Sequence, residues 1–480
     1  MTKGQTFRTV GAALAVSAAL AACGGSGGGS TKTPSALDPA NMVPASSVAY
    51  AEVAIRPQGT MRSDLVEAIN SIAGKGSAQK LSASLEKSLG RKWKQLRPWA
   101  GQQMGIALTS LPASFSGGSQ ALESGLLVVL PTSDPSAARR YLAKNVKSSG
   151  EAWKVVGHYA IVGGANAIGQ AQATTAKTSL AADANFKAVM SQLGNGELFT
   201  AYAPLHQLYQ ELLPLLQSSP TYSASTLSAA AKQAPPGSSV AFGMVALHNQ
   251  FRMDIVSNGL PATNTPASAV PSDVSSLPAS SWLALTLGGA LAKGSTVSEL
   301  TSNLSKELAA IQSLSGKVGG HVPGGPLQFV VKDLLPALGP AELSVSGTSK
   351  STLQAGVVMA PDNVSAGARL AKAVKQLVNG LPISASTTGG RVAVTFGISN
   401  LAQLLNPSSK LSANPTFKRA LAQLPAGAKA DIYLNFEPIA VLASLDQGAV
   451  SSSGMKVLHR LDYLIAGGTH SHFRLVLTTY

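Results

Sequence analysis

The chain has 480 residues, 45% of them apolar and 5% aromatic, and carries 37 Lys and Arg against 22 Asp and Glu for a net charge of +15. That length is enough to bury full hydrophobic cores, and a single cysteine, Cys23, excludes an intrachain disulfide. The positive charge is scattered, with no Lys/Arg run of about five to eight residues, which argues against a dedicated polyanion tract and for a generally basic surface.

The first element is an export leader over residues 1–22. Lys3 and Arg8 precede an uncharged, weakly apolar stretch from Val10 to Ala22. A stable span needs about 20 apolar residues, so this stretch is too short to stay in a bilayer as a helix. Leu20, Ala21 and Ala22 lead directly into Cys23: an aliphatic residue, two small residues, then cysteine. This resembles the lipobox of bacterial lipoproteins, in which the cysteine is acylated and becomes the mature N-terminus. The other reading is an ordinary secretory leader with a spare thiol. Residues 23–42 are rich in Gly, Ser and Pro and read as a lipidated cysteine followed by a flexible tether. The expected address is the extracytoplasmic face of the cell membrane, with membrane lipid as the first partner through acylated Cys23. An exported basic protein meets anionic lipid or wall polymer there, and nucleic acid is not an expected partner.

The remainder repeats itself. Val43-Pro44-Ala45-Ser46-Ser47 returns as Leu277-Pro278-Ala279-Ser280-Ser281, each followed by an apolar run. The stretches starting at Leu126, Phe186 and His248 return in the same order from Ala355, Phe417 and His470. The division is a first unit over 43–259, a Pro/Ser/Thr-rich linker over 260–276 and a second unit over 277–480.

Within a unit, strands and helices alternate. Asp134-Pro135 reads as an N-cap and first helical residue, with Ala138, Tyr141, Leu142 and Val146 at helical spacing. Leu205, Leu208, Tyr209, Leu212 and Leu213 form another apolar stripe. Ser239 to Leu247 is apolar at nearly every position, which predicts a strand covered on both faces. Phe251, Met253 and Ile255 alternate with Arg252 and Asp254, and Phe473, Leu475 and Leu477 alternate with Arg474; each pattern predicts a strand with the apolar set buried. Thr296 and Glu299 form a capping box ahead of Leu300, Leu304, Leu308 and Ile311. Several strand pairs have links too short for a parallel crossover. The fold class is therefore α+β: two tandem copies of a unit with a mainly antiparallel sheet covered by amphipathic helices.

The Pro-Ala-Ser-Ser-Val-Ala-Tyr-Ala-Glu-Val start at Pro44, the Pro98-Trp99-Ala100-Gly101 step and the lipobox together resemble a family of bacterial lipoproteins. These carry the domain of unknown function numbered 3352 and are common in high-GC Gram-positive bacteria. The second copy departs from the pattern, with Gly339-Pro340 at the Trp-Ala-Gly step. The resemblance implies an address and a fold and supplies no catalytic residue.

Motifs for chemistry are sparse. His470 and His472 are spaced to share one face of a strand, but a zinc site needs three or four ligands and no third is identifiable. Ser77/Lys80, Ser84/Lys87 and Ser453/Lys456 have Ser-x-x-Lys spacing without the accompanying elements of a penicillin-binding protein. Arg252 and Arg474 hold equivalent places, either as paired anion contacts or as the outward partners of a core Phe. No catalytic, cofactor or metal residues are assigned. The expected function is a non-enzymatic binding or structural module of the cell envelope. The alternatives are a carrier of lipid or another apolar ligand, whose unit would enclose an unfilled pocket, and a cell-envelope hydrolase.

Overall fold

A computed structural model describes residues 37–112, 124–146, 152–217, 234–260, 273–287, 341–349, 351–359, 383–388, 391–397, 406–445 and 451–480, with isolated residues between 360 and 405. Contacts divide the chain into two units, one of residues 1–262 with His470–Phe473 and one of residues 263–469 with 474–480.

The first unit runs β1 (Ala49–Ala54), α1 (Gly59–Ala73), α2 (Ser77–Leu96), β2 (Gln103–Leu108), β3 (Leu126–Pro131), α3 (Pro135–Asn145), β4 (Ala152–Val156), β5 (Tyr159–Gly163), α4 (Ala165–Ala173), α5 (Ala184–Met190), β6 (Phe199–Pro204), α6 (Leu205–Gln217), β7 (Ser239–Leu247) and β8 (Gln250–Asn258). Its strands form an antiparallel sheet in the order β8-β7-β6-β1-β2-β3-β5-β4. The second unit contains β9 (Ser281–Leu287), β10 (Ala341–Ser346), β11 (Gln354–Met359), β12 (Ile383–Thr388), β13 (Arg391–Phe396), α7 (Pro415–Leu421), β14 (Lys429–Asn435), α8 (Phe436–Leu445), α9 (Ser452–Leu458), β15 (Leu461–Gly468) and β16 (His472–Thr479). Its order is β16-β15-β14-β9-β10-β11-β13-β12, the same path with each strand replaced by its counterpart.

The two copies also share their internal contacts. In the first, the Phe186 ring packs edge-on against Tyr50 and Tyr202, with centroids 5.9 and 5.0 Å away. In the second, Phe417 packs against Tyr433 at 5.1 Å. Asp183 caps α5 by accepting from the Phe186 amide, and Asn414 caps α7 by accepting from the Thr416 and Phe417 amides. The Leu180 amide donates to the Val43 carbonyl at 2.7 Å, and the Leu411 amide to the Leu277 carbonyl at 2.6 Å.

In the first unit helices cover both faces of the sheet. On one face, α4 and α5 bury Ala167, Ile168, Phe186 and Val189 against Tyr50, Leu127, Ile161 and Tyr202. On the other, α2 and α3 bury Trp93, Ala138 and Leu142 against Val53, Met104 and Leu130, while α1 buries Leu65 and Ile69 against Leu198 and Ala246. The Asp134 side chain accepts from the Ser136 and Ala137 amides and starts α3 at Pro135, as the sequence predicts. The capping box at Thr296 lies outside the described residues.

Two expectations change. Residues at the ends of the tether and linker are folded: Asp38 caps a 3-10 turn at Pro39–Met42 and Asp273 caps one at Val274–Ser276, and Ala40 and Val274 are fully buried. The Asp cap and the apolar residues behind it outweigh the Pro/Ser composition that reads as a loop. The last strand of the first unit also buries the opposite face from the one expected, while that of the second buries residues on both faces. In β8, Met253 and Ile255 are 36% and 43% exposed, whereas Asp254 and Val256 are buried. In β16 Val476 is buried on one face and Thr479 on the other, with Phe473, Leu475 and Leu477 half-buried beside Thr479. Burial of Asp254 is offset by Arg252, whose Nε lies 2.8 Å from its Oδ2.

Candidate functional site

On the face of the first unit that carries α1, α2 and α3 lies an apolar trough of about 370 Å³. Its shape follows from cross-strand register. Residues opposite each other on paired strands share a face. One row reads Ile255, Phe242, Ala201, Ala51, Ile106 and Val128 across β8, β7, β6, β1, β2 and β3. The adjacent row contains Val240, Ala203, Ala49, Leu108 and Leu126. In both rows large side chains stand on the outer strands and alanines on the two central ones. A sheet face with methyl groups in the middle and Phe, Val, Ile and Leu on either side is concave. Leu126 at its rim is 37% exposed.

The second unit has the same rows with different residues. Register places Leu285 and Ile432 where the first copy has Ala51 and Ala201, and Leu283 and Leu434 at the counterparts of Ala49 and Ala203. Leu343 and Val345 stand beside them on β10. The floor that alanines hollow in one copy carries four branched side chains in the other. The sequence holds a signal for this that periodicity alone misses: Ala-Tyr-Ala occurs at 49–51 and again at 201–203, on strands that pair. In each triplet the tyrosine enters the Phe186 core on the far face and the alanines floor the trough.

On the opposite face lies a buried acidic group common to both copies. The Tyr50 hydroxyl donates to Glu52 Oε2 at 3.0 Å. Burial and the charge of Asp38 push the Glu52 carboxyl up to about 7, and the Tyr50 hydrogen bond opposes that shift. Glu52 faces Gly105 on β2, where a Cβ would come within 2.7 Å of Pro39 and 3.0 Å of the Tyr50 ring. In the second copy the pair is exchanged: Thr286 stands on β9 and Glu342 on β10. Burial pushes Glu342 up to about 7 as well, with Arg391 opposing and Asp273 reinforcing.

A carboxyl at about 7 in the folded chain and near 4.5 in the unfolded one favours folding fully below pH 4.5. That contribution is lost as pH rises towards 7. Urea midpoints are therefore expected to fall between pH 5 and 7.5. Glu52→Gln is expected to flatten that dependence by roughly 1–2 kcal/mol, after discounting for partial solvation. An unchanged slope in Glu52→Gln and Glu342→Gln would remove these groups as its source.

The lipobox residues Leu20, Ala21 and Ala22 and the lipidation candidate Cys23 lie outside the described residues. Among the described residues, no group of three or more His, Cys, Asp or Glu is placed to hold a metal, and no helix is long and apolar enough to cross a membrane. His470 is exposed, while His472, the first residue of β16, is half-buried with its Nε2 2.6 Å from Asp254 Oδ1. The Ser77 hydroxyl donates to the Ala73 carbonyl, a helix-entry contact. Arg252 and Arg474 are not plain outward partners of a core Phe. Arg474 donates to the Gln423 carbonyl at 3.1 Å after α7, and Arg252 reaches the Leu193 carbonyl at 3.5 Å after α5 while pairing with Asp254.

No family model and no curated protein matches the chain. Among solved structures, crystal form I of TP0453 is similar at 8% identity over 81% of this chain and 99% of that one, with a TM-score of 0.15. Crystal form III of TP0453 is similar at 10% identity over 77% and 98%, also at 0.15. A superposition that loose supports no statement about fold or ligand.

Proposed function

We propose that the chain is a lipid-anchored, extracytoplasmic protein of the cell envelope whose first unit binds an apolar chain, without turnover, in the alanine-floored trough. The observation that carries this reading is the pair of cross-strand rows, concave and apolar along their length. A volume of about 370 Å³ falls within the range of about 300–1,000 Å³ typical of ligand pockets. A hydrocarbon chain asks for apolar contact and no hydrogen-bond partners, and that is what these side chains offer. A buried methylene contributes about 0.8 kcal/mol, so binding energy grows with chain length. The anchor part of the reading is supported by Leu20-Ala21-Ala22-Cys23 after a short apolar leader, and by the resemblance to lipoproteins carrying the domain of unknown function 3352.

Two experiments test the two parts. Intact-mass analysis of the native protein is expected to find residue 23 as the N-terminus, bearing acyl chains, and Cys23→Ser is expected to lose that added mass. An unmodified chain with its leader retained would end the anchor reading. For the trough, the chain starting at residue 23 with Cys23→Ser is titrated with a fluorescent 16-carbon fatty acid. Saturable binding, displaced by unlabelled palmitate and weakened by shortening the chain, is the expected result; no saturable binding would end the carrier reading.

A further inference from the structure

The fold gathers charge that the sequence leaves scattered. Lys80, Lys87 and Lys94 are all exposed, and their seven-residue spacing puts them in one stripe along α2. The stripe extends about 21 Å, at 1.5 Å per residue. Helix α3 packs beside α2 and exposes Arg139, Arg140 and Lys144. The acidic residue within these two helices is Glu86, which lies 3.8 Å from Arg97 at the end of α2. The inward sides of the helices bury Trp93, Ala138 and Leu142 on the sheet, so the cationic side points to solvent. This helical layer stands on the same face of the sheet as the trough, and Ile106 belongs to both.

We infer that the α2–α3 surface docks on the anionic headgroup plane of a phospholipid bilayer. The arrangement fits a plane better than a pocket. Six cations spread over two adjacent helices, with lysines as flexible point charges, match a diffuse layer of headgroups, whereas a compact phosphate site needs convergent, buried donors. Cations near an anionic leaflet each add roughly a fivefold gain in binding, and the gain is screened within a Debye length. Docking by this side would bring the trough face towards a source of acyl chains. The inference draws on the envelope reading for access to such a surface, but its measurement does not depend on the trough being a binding site.

The test uses the chain from residue 23 with Cys23→Ser, so that no acyl anchor contributes. Flotation is measured with vesicles of phosphatidylcholine alone and with 30% phosphatidylglycerol. Binding is expected to need phosphatidylglycerol and to fade as salt rises from 0.05 to 0.5 M. The triple variant Lys80→Glu, Lys87→Glu, Lys94→Glu is expected to lose at least about tenfold in apparent affinity. A control reversing Lys418, Lys429 and Lys456 of the second unit makes the same net-charge change and is expected to lose less than threefold. Circular dichroism melts of both variants separate lost docking from lost folding. Equal losses in the two variants would mean that net charge alone drives binding and would overturn the inference. So would equal binding to phosphatidylcholine alone, or binding to anionic wall polymer without binding to the vesicles. Failure of fatty-acid binding with docking intact would instead count against the carrier reading alone.

Discussion

Leucine at positions 51 and 201 is expected to raise the dissociation constant for the 16-carbon probe at least about 30-fold while leaving the fold intact. The trough floor at these positions is two methyl groups on paired strands. Each substitution adds three carbons to the floor. If the new side chains displace about three methylenes of ligand, at about 0.8 kcal/mol each, the loss is about 2.4 kcal/mol, or roughly 50-fold, so about 30-fold is the floor of the expectation. Stability is expected to change by less than about 1 kcal/mol. Overpacking is costly in a closed core, but this site is open, and the second unit carries Leu285 and Ile432 at the same register. Titration of Ala51→Leu, Ala201→Leu beside a thermal melt checks both halves. Undiminished affinity in a stable double variant would place the ligand elsewhere.

The other large effect is on the far face. Phe186→Ala is expected to destabilise the first unit by about 3–5 kcal/mol, read as a lower urea midpoint. The ring is 7% exposed and packs edge-on against both Tyr50 and Tyr202, so its removal leaves a cavity and breaks two aromatic contacts. The tyrosines it braces are the central residues of the two Ala-Tyr-Ala triplets, so the loss also loosens the trough floor. Phe417→Ala removes the corresponding ring against Tyr433 and is expected to cost a similar amount. It should leave probe affinity nearly unchanged at temperatures where the first unit stays folded.

These two expectations mark how far the sequence could be read. The duplicated unit, the antiparallel α+β class and the capped entry at Asp134-Pro135 were visible because each rests on local chemistry: repeated words, short connections, a side chain that accepts amide hydrogens. The buried face of β8 was not. Alternation in Phe251, Arg252, Met253, Asp254 and Ile255 reads as apolar residues inward, and it fails where a buried carboxylate is held by a neighbouring arginine while Met253 and Ile255 stand exposed. The trough escaped for a related reason. Alanine in a strand looks like a weak strand former. Only register shows that Ala49, Ala51, Ala201 and Ala203 lie side by side, and only the second copy shows what fills such a floor. The cationic stripe has the same origin, since Lys80, Lys87 and Lys94 are isolated in sequence and aligned by the helix.

The central claim is that a hydrocarbon chain lies across β7, β6, β1 and β2 of the first unit. Photocrosslinking with a diazirine-bearing fatty acid, followed by peptide mapping, addresses it directly. The account predicts adducts at Ala49–Ala51, Ile106–Leu108, Ala201–Ala203 and Val240–Phe242, competed by palmitate and lost in the leucine double variant. Adducts on β9, β10 and β14 at equal yield, or adducts that palmitate does not displace, would contradict it.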